Sequence, residues 1–508
     1  MPLPENPKMS WPPKEWEEVY NLYIEHDAWY SGDPNRLAAV YSSLIPGAYG
    51  PYGDFFYNPS APFMGGTPRG RFWATELKEE RRVMIHVPIA GDLAALSSDL
   101  LFSEAPSFII PEAHEEKSSN DAKKAQDRLN QIIESGGVVN RLIESAESCA
   151  ALGGVFIKPN WDTELAPFPI FSVAQADTAV PQFRWGFLTS VIFWKVIDED
   201  DDVVWRLLEC HEDGVILNGL YKGTRDQLGI RVGLTAHSAT ADLEDVIHTG
   251  IKGVAVRYIP NIKPNRRFRG SPLGMSDYSG NEGLMDALDE VFTSWMRDIR
   301  LAKARIIAPE QWLTKGEDGS LKFDIDKEVF VGVNADPLSS DKAGITMNQF
   351  AIRTEEHQKT ALELMDRIIT NAGYSPQSFG LKIEGRAESG TALNIRERRS
   401  FLTKAKKERY FKPAIEDVLH MMLQLDREVF RSGVTVYRPT VAFNDSVAPD
   451  ITTLATAVEL INRAQAASVK TKVQLLHPDW SKEQVEKEAE EILKEQGIMT
   501  TETDDLPV

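Results

Sequence analysis

The clearest periodicity in the chain lies at residues 282–305. Leu284, Leu288, Val291, Trp295, Ile299 and Ala302 recur at spacings of three and four, which lines them along one side of an α-helix. The first half of this segment carries Glu282, Asp286, Asp289 and Glu290. The second half carries Arg297, Arg300, Lys303 and Arg305. Acid near the start and base near the end both complement the helix dipole. A second apolar stripe, Ala361, Leu364, Met365, Ile368 and Ile369, predicts a helix over 354–371 that stops at Gly373. A loop over 373–389 then leads to a long helix from Gly390 to about residue 430. Pro413 should kink that helix, because its ring removes a backbone donor and crowds the preceding turn. Further helices are expected over 13–30, with Trp16, Val19, Tyr20, Tyr23 and Ile24 on one side, over 121–151, and in a C-terminal region, 450–496.

The pattern changes over 155–260. Short β-branched or aromatic runs at 155–158, 168–173, 187–196, 203–210 and 214–221 are separated by turn residues, the signature of a mostly antiparallel β region. A basic, Gly/Pro-punctuated linker follows at 261–280 and marks a boundary. Short strands and turns are expected over 306–350, and one strand-like piece at 434–443. Residues 46–70 hold five Pro and six Gly and read as a long irregular segment, of a length that compact domains seldom carry without a reason such as contact with a neighbouring subunit. The fold class is α+β.

Composition narrows the function. The 508 residues suffice for several domains and a large core. Two cysteines, Cys149 and Cys210, exclude a disulfide framework and a four-cysteine zinc site. No run of eighteen apolar residues predicts a membrane span, and the first residues lack the apolar core of a secretion signal. A formal net charge of −20 argues against a protein that grips nucleic acid over its whole surface.

Catalytic patterns are nearly absent. There is no Walker A loop, no H-E-x-x-H, no G-x-G-x-x-G and no nucleophile elbow. Asp198, Asp200, Asp202 and Glu209 match four positions of a calcium-binding EF-hand loop, but Val203 stands where the loop needs Gly. A solvated hairpin tip fits better. Asp324 and Asp326 alternate within KFDIDKEVF and fit one face of an exposed strand. A metal-dependent nuclease or other hydrolase built on these acids is the alternative reading, and it lacks a dense acid/His site. Cys149 sits among Ala and Leu and reads as a small buried hydrophobe. The sequence implies no cofactor, no metal and no catalytic residue.

Charge is unevenly spread. Residues 381–412 hold ten Lys or Arg against four acids, whereas 479–508 hold ten acids against three Lys. The basic strip is either a solvated helix face with salt bridges or a surface for a polyanion. Without interleaved aromatics or a helix-turn-helix, weak sequence-independent contact with duplex DNA is what this composition allows.

Three passages then become familiar. GLMDALDE at 283–290 continuing to WMRDI at 295–299, the segment 354–373, and SGTAL at 389–393 together resemble the portal (head-to-tail connector) proteins of tailed bacteriophages, specifically the siphophage type. The resemblance covers roughly residues 20–500. It implies a portal-type fold: an N-terminal α/β wing over 1–280, stem helices at 281–305 and 353–372, a small β-containing clip at 306–352 and a tunnel loop at 373–389. A long kinked helix returning to the wing would fill 390–447, and a helical crown 448–508. It further implies a homo-oligomeric ring, usually of twelve copies, at one capsid vertex of the virion. Its partners would be double-stranded DNA, the terminase large subunit, a head–tail adaptor, and the major capsid and scaffolding proteins, with no membrane. On that map Lys382, Arg386, Arg396 and Arg399 would face DNA in the channel. Asp286, Glu290, Arg297 and Arg300 would pair between neighbouring stems, and Lys315, Asp318 and Lys322 would lie on the clip. Another phage neck or minor capsid component is a further alternative.

Overall fold

The computed structural model describes residues 3–43, 72–74, 84–114, 119–200, 202–301, 305–307, 314–315, 321–322, 346–348, 352–381, 390–443, 451–477 and 482–495. It divides into two compact units, residues 1–383 with 396–442, and residues 384–395 with 443–508.

The larger unit opens with helices α1 (Glu17–Ser31), α2 (Pro34–Ser43) and α3 (Ile89–Phe102), followed by strand β1 (Ser107–Ile109). Next come α4 (Asn120–Ser135) and α5 (Val138–Leu152). The sequence predicts one helix here. The Gly136–Gly137 pair divides it, because Gly137 adopts a left-handed conformation (φ 59°) that ends regular helix. In α4, Ser119 caps the N-terminus by accepting from Ala122 N, and Ala122, Ala125, Leu129 and Ile132 turn inward at helical spacing.

Strands β2 (Gly154–Asn160), β3 (Ile170–Gln175), β4 (Ala179–Arg184), β5 (Phe187–Asp200), β6 (Val203–Glu212), β7 (Val215–Gly223), β8 (Ile230–Val232), β9 (Val246–His248) and β10 (Arg257–Pro260) follow. They form a three-stranded antiparallel sheet ordered β10-β2-β3 and a six-stranded one ordered β4-β5-β6-β7-β8, with β9 also on β7. The core between the six-stranded sheet and the helices α1 and α5 includes Trp11, Tyr20, Tyr23, Ala150, Ile192, Leu208 and Tyr221. Burying one side chain of this size contributes roughly 1.5–3 kcal/mol, which fixes the sheets against α1 and α5.

After the sheets come α6 (Glu282–Leu301) and the short strands β11 (Arg305–Ile307), β12 (Thr314–Lys315), β13 (Leu321–Lys322) and β14 (Thr346–Asn348). β11 pairs with β14 and β12 with β13. The predicted helix over 282–305 is shorter, since Arg305 already opens a strand. α7 (Thr354–Ala372) returns alongside α6. It ends at Gly373, whose φ of 94° suits only glycine and whose missing Cβ leaves room for Thr403 Oγ1 at 2.9 Å from that position. Helix α8 (Gly390–Glu428) is 39 residues long with Pro413 inside it, and β15 (Thr440–Ala442) pairs with β1. A second core brings Trp29, Tyr41, Trp73 and Leu93 against Tyr278, Met285, Leu288, Ile368 and Tyr374.

In the smaller unit, α9 (Ile451–Arg463), α10 (Val469–Leu476) and α11 (Lys482–Glu495) are joined by short turns. Ser468 caps α10, Val473, Val485 and Ala489 are buried, and Lys470 pairs with Glu486 across α10 and α11. The Pro/Gly-rich run 46–70 lies outside the described residues. No helix among the described residues is long and apolar enough to cross a membrane.

Candidate functional site

The base of α6 carries a row of buried carboxylates. Glu282, Asp286 and Asp289 recur at i, i+4 and i+7, so they share one side of the helix, and each is less than 7% exposed. A buried carboxylate needs donors, and other segments supply them. Asp286 accepts from the backbone N–H of Phe72 (2.7 Å), with the N–H of Trp73 at a longer 3.4 Å. Asp289 accepts from Trp73 Nε1 (3.0 Å) and Val87 N (2.8 Å), and stands 2.7 Å from His86 Nδ1. Glu282 accepts from Gly280 N at 2.9 Å and lies 3.5 Å from His26 Nε2. Burial by itself would raise the Glu282 carboxyl. The adjacent His26 and the backbone donors of Gly280 and Glu282 outweigh that and hold it at about 2.

A second buried knot joins the approach to α6, the end of α7 and α8. Lys407 Nζ donates to Asp277 Oδ1 and Oδ2 at 2.8 and 2.7 Å, to Ser97 Oγ at 2.6 Å and to Tyr374 Oη at 2.9 Å. Tyr374 Oη donates to Asp277 Oδ2 at 2.6 Å, and Asn261 Nδ2 donates to Asp277 Oδ1 at 2.7 Å. Lys407 and Asp277 are 2% and 0% exposed at their side chains. Burial pushes the Tyr374 hydroxyl well up, with the Asp277 charge and hydrogen bond adding to it. Two further ties seat α8 in the same unit: Arg128 forks onto Asp426, and Arg257 and Arg438 share Asp417.

The candidate residues fall into distinct classes. Lys382, Arg386 and Asp318 lie outside the described residues. Arg396 stands in α8, and Arg399 is exposed on it. Glu290, Arg297 and Arg300 are exposed on α6, whereas Asp286 is 5% exposed and bonded within its own chain. Its burial corrects its placement at a surface between stems. Lys315 and Lys322 occupy the paired strands β12 and β13. Within the basic strip, Arg398, Lys406, Arg409 and Lys412 are exposed, but Lys404 and Lys407 are buried. Sequence reasoning missed the parts played by His26, His86, Trp73, Asp277 and Tyr374. The signal for the first three was the acids of α6 recurring at the spacing of core positions, which demands donors from elsewhere.

The acid clusters do not build a calcium loop. Asp198 and Asp200 sit at the β5–β6 hairpin end, opposite Trp205 and Val203. Glu209 lies four residues beyond Trp205 along β6, about 13 Å away at strand rise. There it pairs with Lys158 and with His211 Nε2 at 2.5 Å. Burial alone would raise the Glu209 carboxyl, and these two partners outweigh it and lower it. Phe193 covers the trio, with its ring centroid 4.7 Å from Lys158 Nζ. Asp324 and Asp326 lie outside the described residues. Among the described residues no group of three or more His, Cys, Asp or Glu is arranged to hold a metal ion. Cys149 and Cys210 are buried, and burial raises both thiols, the opposite of what a nucleophile requires.

Buried polar side chains here hold the antiparallel pair α6 and α7 to the rest of the unit. Residues 73–498 match the family model described as phage portal protein, SPP1 Gp6-like. The chain belongs to that family of phage portal proteins, which are structural rather than enzymatic components of the virion. No curated protein matches it. Solved structures that it resembles include the neck of an empty gene transfer agent particle computed with C6 symmetry, at 12% identity over 78% of this chain and 91% of that one, with a TM-score of 0.39. The virion of the native gene transfer agent particle matches at 13% identity over the same shares, with a TM-score of 0.38. The neck of the native particle computed with C12 symmetry matches at 12% identity over 77% and 89%, with a TM-score of 0.38.

Proposed function

We propose that this portal protein forms a closed homo-oligomeric ring, of twelve copies, that conducts double-stranded DNA into and out of the capsid at one vertex. The ring docks the terminase during packaging and the neck or tail adaptor afterwards. The observation that carries this reading is the portal-family match over residues 73–498. In it α6 and α7 are the stem, 306–352 the clip, 373–389 the tunnel loop and 448–508 the crown. Glu290 of one copy faces Arg297 or Arg300 of the next, in the head-to-tail arrangement that closes a ring. Lys382 and Arg386 touch DNA at the constriction, with Arg396 and Arg399 behind them. Lys315, Asp318 and Lys322 belong to the docking tip. A net charge of −20 with a confined basic strip suits a conduit in which DNA slides, since each phosphate contact tightens binding.

Native mass is the first test. Twelve copies of 56.9 kDa give about 680 kDa, with ring-shaped particles and a central hole by negative stain. Lys382→Ala with Arg386→Ala should leave that mass unchanged and impair packaging or retention of DNA. Wild-type packaging and retention in the double variant would overturn the tunnel-loop assignment.

A further inference from the structure

The linker between the sheets and α6 is an ordered, wholly basic loop. From Asn261 to Ser276 there is no acidic residue, and Lys263, Arg266, Arg267 and Arg269 give it a charge of +4 inside a chain of −20. The loop is closed at its foot. Ile262 and Met275 form an antiparallel bridge, Asn261 Nδ2 donates to Met275 O, and Gly274 N donates to Tyr258 Oη. Its head is shaped by Asn265, which is 6% exposed. The Asn265 side chain accepts from the N–H groups of Arg267 and Phe268 and donates to Gly274 O.

All four cations on this frame are exposed, and among the described residues none of their side chains makes an ion pair or hydrogen bond. This sets them apart from Arg128, Arg206, Arg257 and Arg438, each of which has side-chain partners in its own chain. A row of unpartnered like charges held on a fixed backbone costs self-repulsion, and an external polyanion relieves it.

We infer that the 263–269 loop is a second contact surface for the phosphate backbone of duplex DNA, separate from the tunnel loop. This rests on the reading of the chain as a DNA conduit. Three of the four cations are arginines, whose planar fork matches phosphate oxygens two at a time. Phe268 is the only aromatic between Asn261 and Ser276, too little for base stacking along a single strand. Contact is therefore electrostatic and sequence-independent.

The test uses the purified full chain and a mixed-sequence linear duplex, with binding measured by anisotropy from 50 to 200 mM salt. Each phosphate contact contributes about 0.9 to the slope of log affinity against log salt. Three arginines from one engaged loop then account for about 2.7 of slope and about a 40-fold change over that range. R266Q/R267Q/R269Q should lose that part of the slope at unchanged native mass and melting temperature. R266K/R267K/R269K, which keeps the charge, should retain it, whereas K382A/R386A should lose only the separate share that belongs to the tunnel loop. Unchanged affinity and slope in the triple Gln variant overturn the inference. If they remain unchanged while K382A/R386A abolishes binding, the loop assignment fails and the conduit reading stands. A poly-glutamate peptide that competes as well as duplex at equal charge concentration also overturns it, making the loop a surface for acidic protein segments.

Discussion

Replacing Lys407 by Met removes the charge at the centre of the Asp277–Tyr374–Ser97 knot while keeping most of the side-chain volume. Asp277, with its side chain fully buried, would be left as a carboxylate holding only Asn261 Nδ2 and Tyr374 Oη as donors. Stranding one member of a buried pair costs about 3–5 kcal/mol. For a unit of roughly 400 residues, about 4 kcal/mol lowers the melting temperature by about 4–5 °C. The decisive measurement is a double-mutant cycle in urea at fixed protein concentration, since any assembly makes stability depend on it. Asp277→Asn alone should destabilise, because it removes the anion facing Lys407. In the Lys407→Met background the same change should stabilise, by about 2 kcal/mol, because it discharges the orphaned carboxylate. A loss of similar size in both backgrounds would refute the argument, showing that the knot acts by shape rather than by charge compensation.

Glu282 gives a pH dependence. Its folded value, about 2, lies below the ordinary 4.5, so its contribution is complete above pH 4.5 and fades as pH falls toward 2. About 2 kcal/mol should disappear between pH 6 and pH 3; Glu282→Gln should flatten that part of the profile, and parallel profiles would refute it. Asp289→Asn should cost about 2–3 kcal/mol by thermal or urea denaturation, since an amide cannot accept from Trp73, His86 and Val87 together; a loss under about 0.5 kcal/mol would show that other groups hold α6. Deleting 314–322 should leave native mass unchanged and weaken capture of terminase or adaptor in a pull-down, and undiminished capture would remove the reason for placing the docking tip there.

The long elements were legible because their periodicity is strong. The stripe Ile368–Ile369 with Ala361 and the stop at Gly373 gave α7 to within a residue. The alternating runs of β5, β6 and β7 gave the hairpins. Local signals failed where tertiary demands rule. Gly136 and Gly137 divide α4 from α5, but a glycine pair inside an apolar pattern reads equally well as a tolerated interruption. The sequence pattern predicts no helix at α2 or α3: in α3 only Asp92 and Asp99 form an exposed strip, and Ser97 and Ser98 stand on the buried side, which blurs the apolar period. Among the candidate residues, charge was legible and its use was not. Asp286 and Lys407 carry the same formal charges as Glu290 and Lys406, yet Asp286 and Lys407 are buried with partners far along the chain.

The ties at Asp277 and Asn281 have a bearing on how the chain can vary. Tyr374 reaches back to Asp277, and Asn371 Nδ2 reaches back to Asn281 Oδ1 at 3.0 Å. The start of α6 and the end of α7 are therefore fastened to each other at one point of the body. Segments inserted between adjacent, fixed ends tolerate changes of length and sequence with little effect on their host. A change of length between Asp298 and Arg353, which are themselves paired, should therefore leave the sheets, the carboxylate row of α6 and the buried lysine as they are.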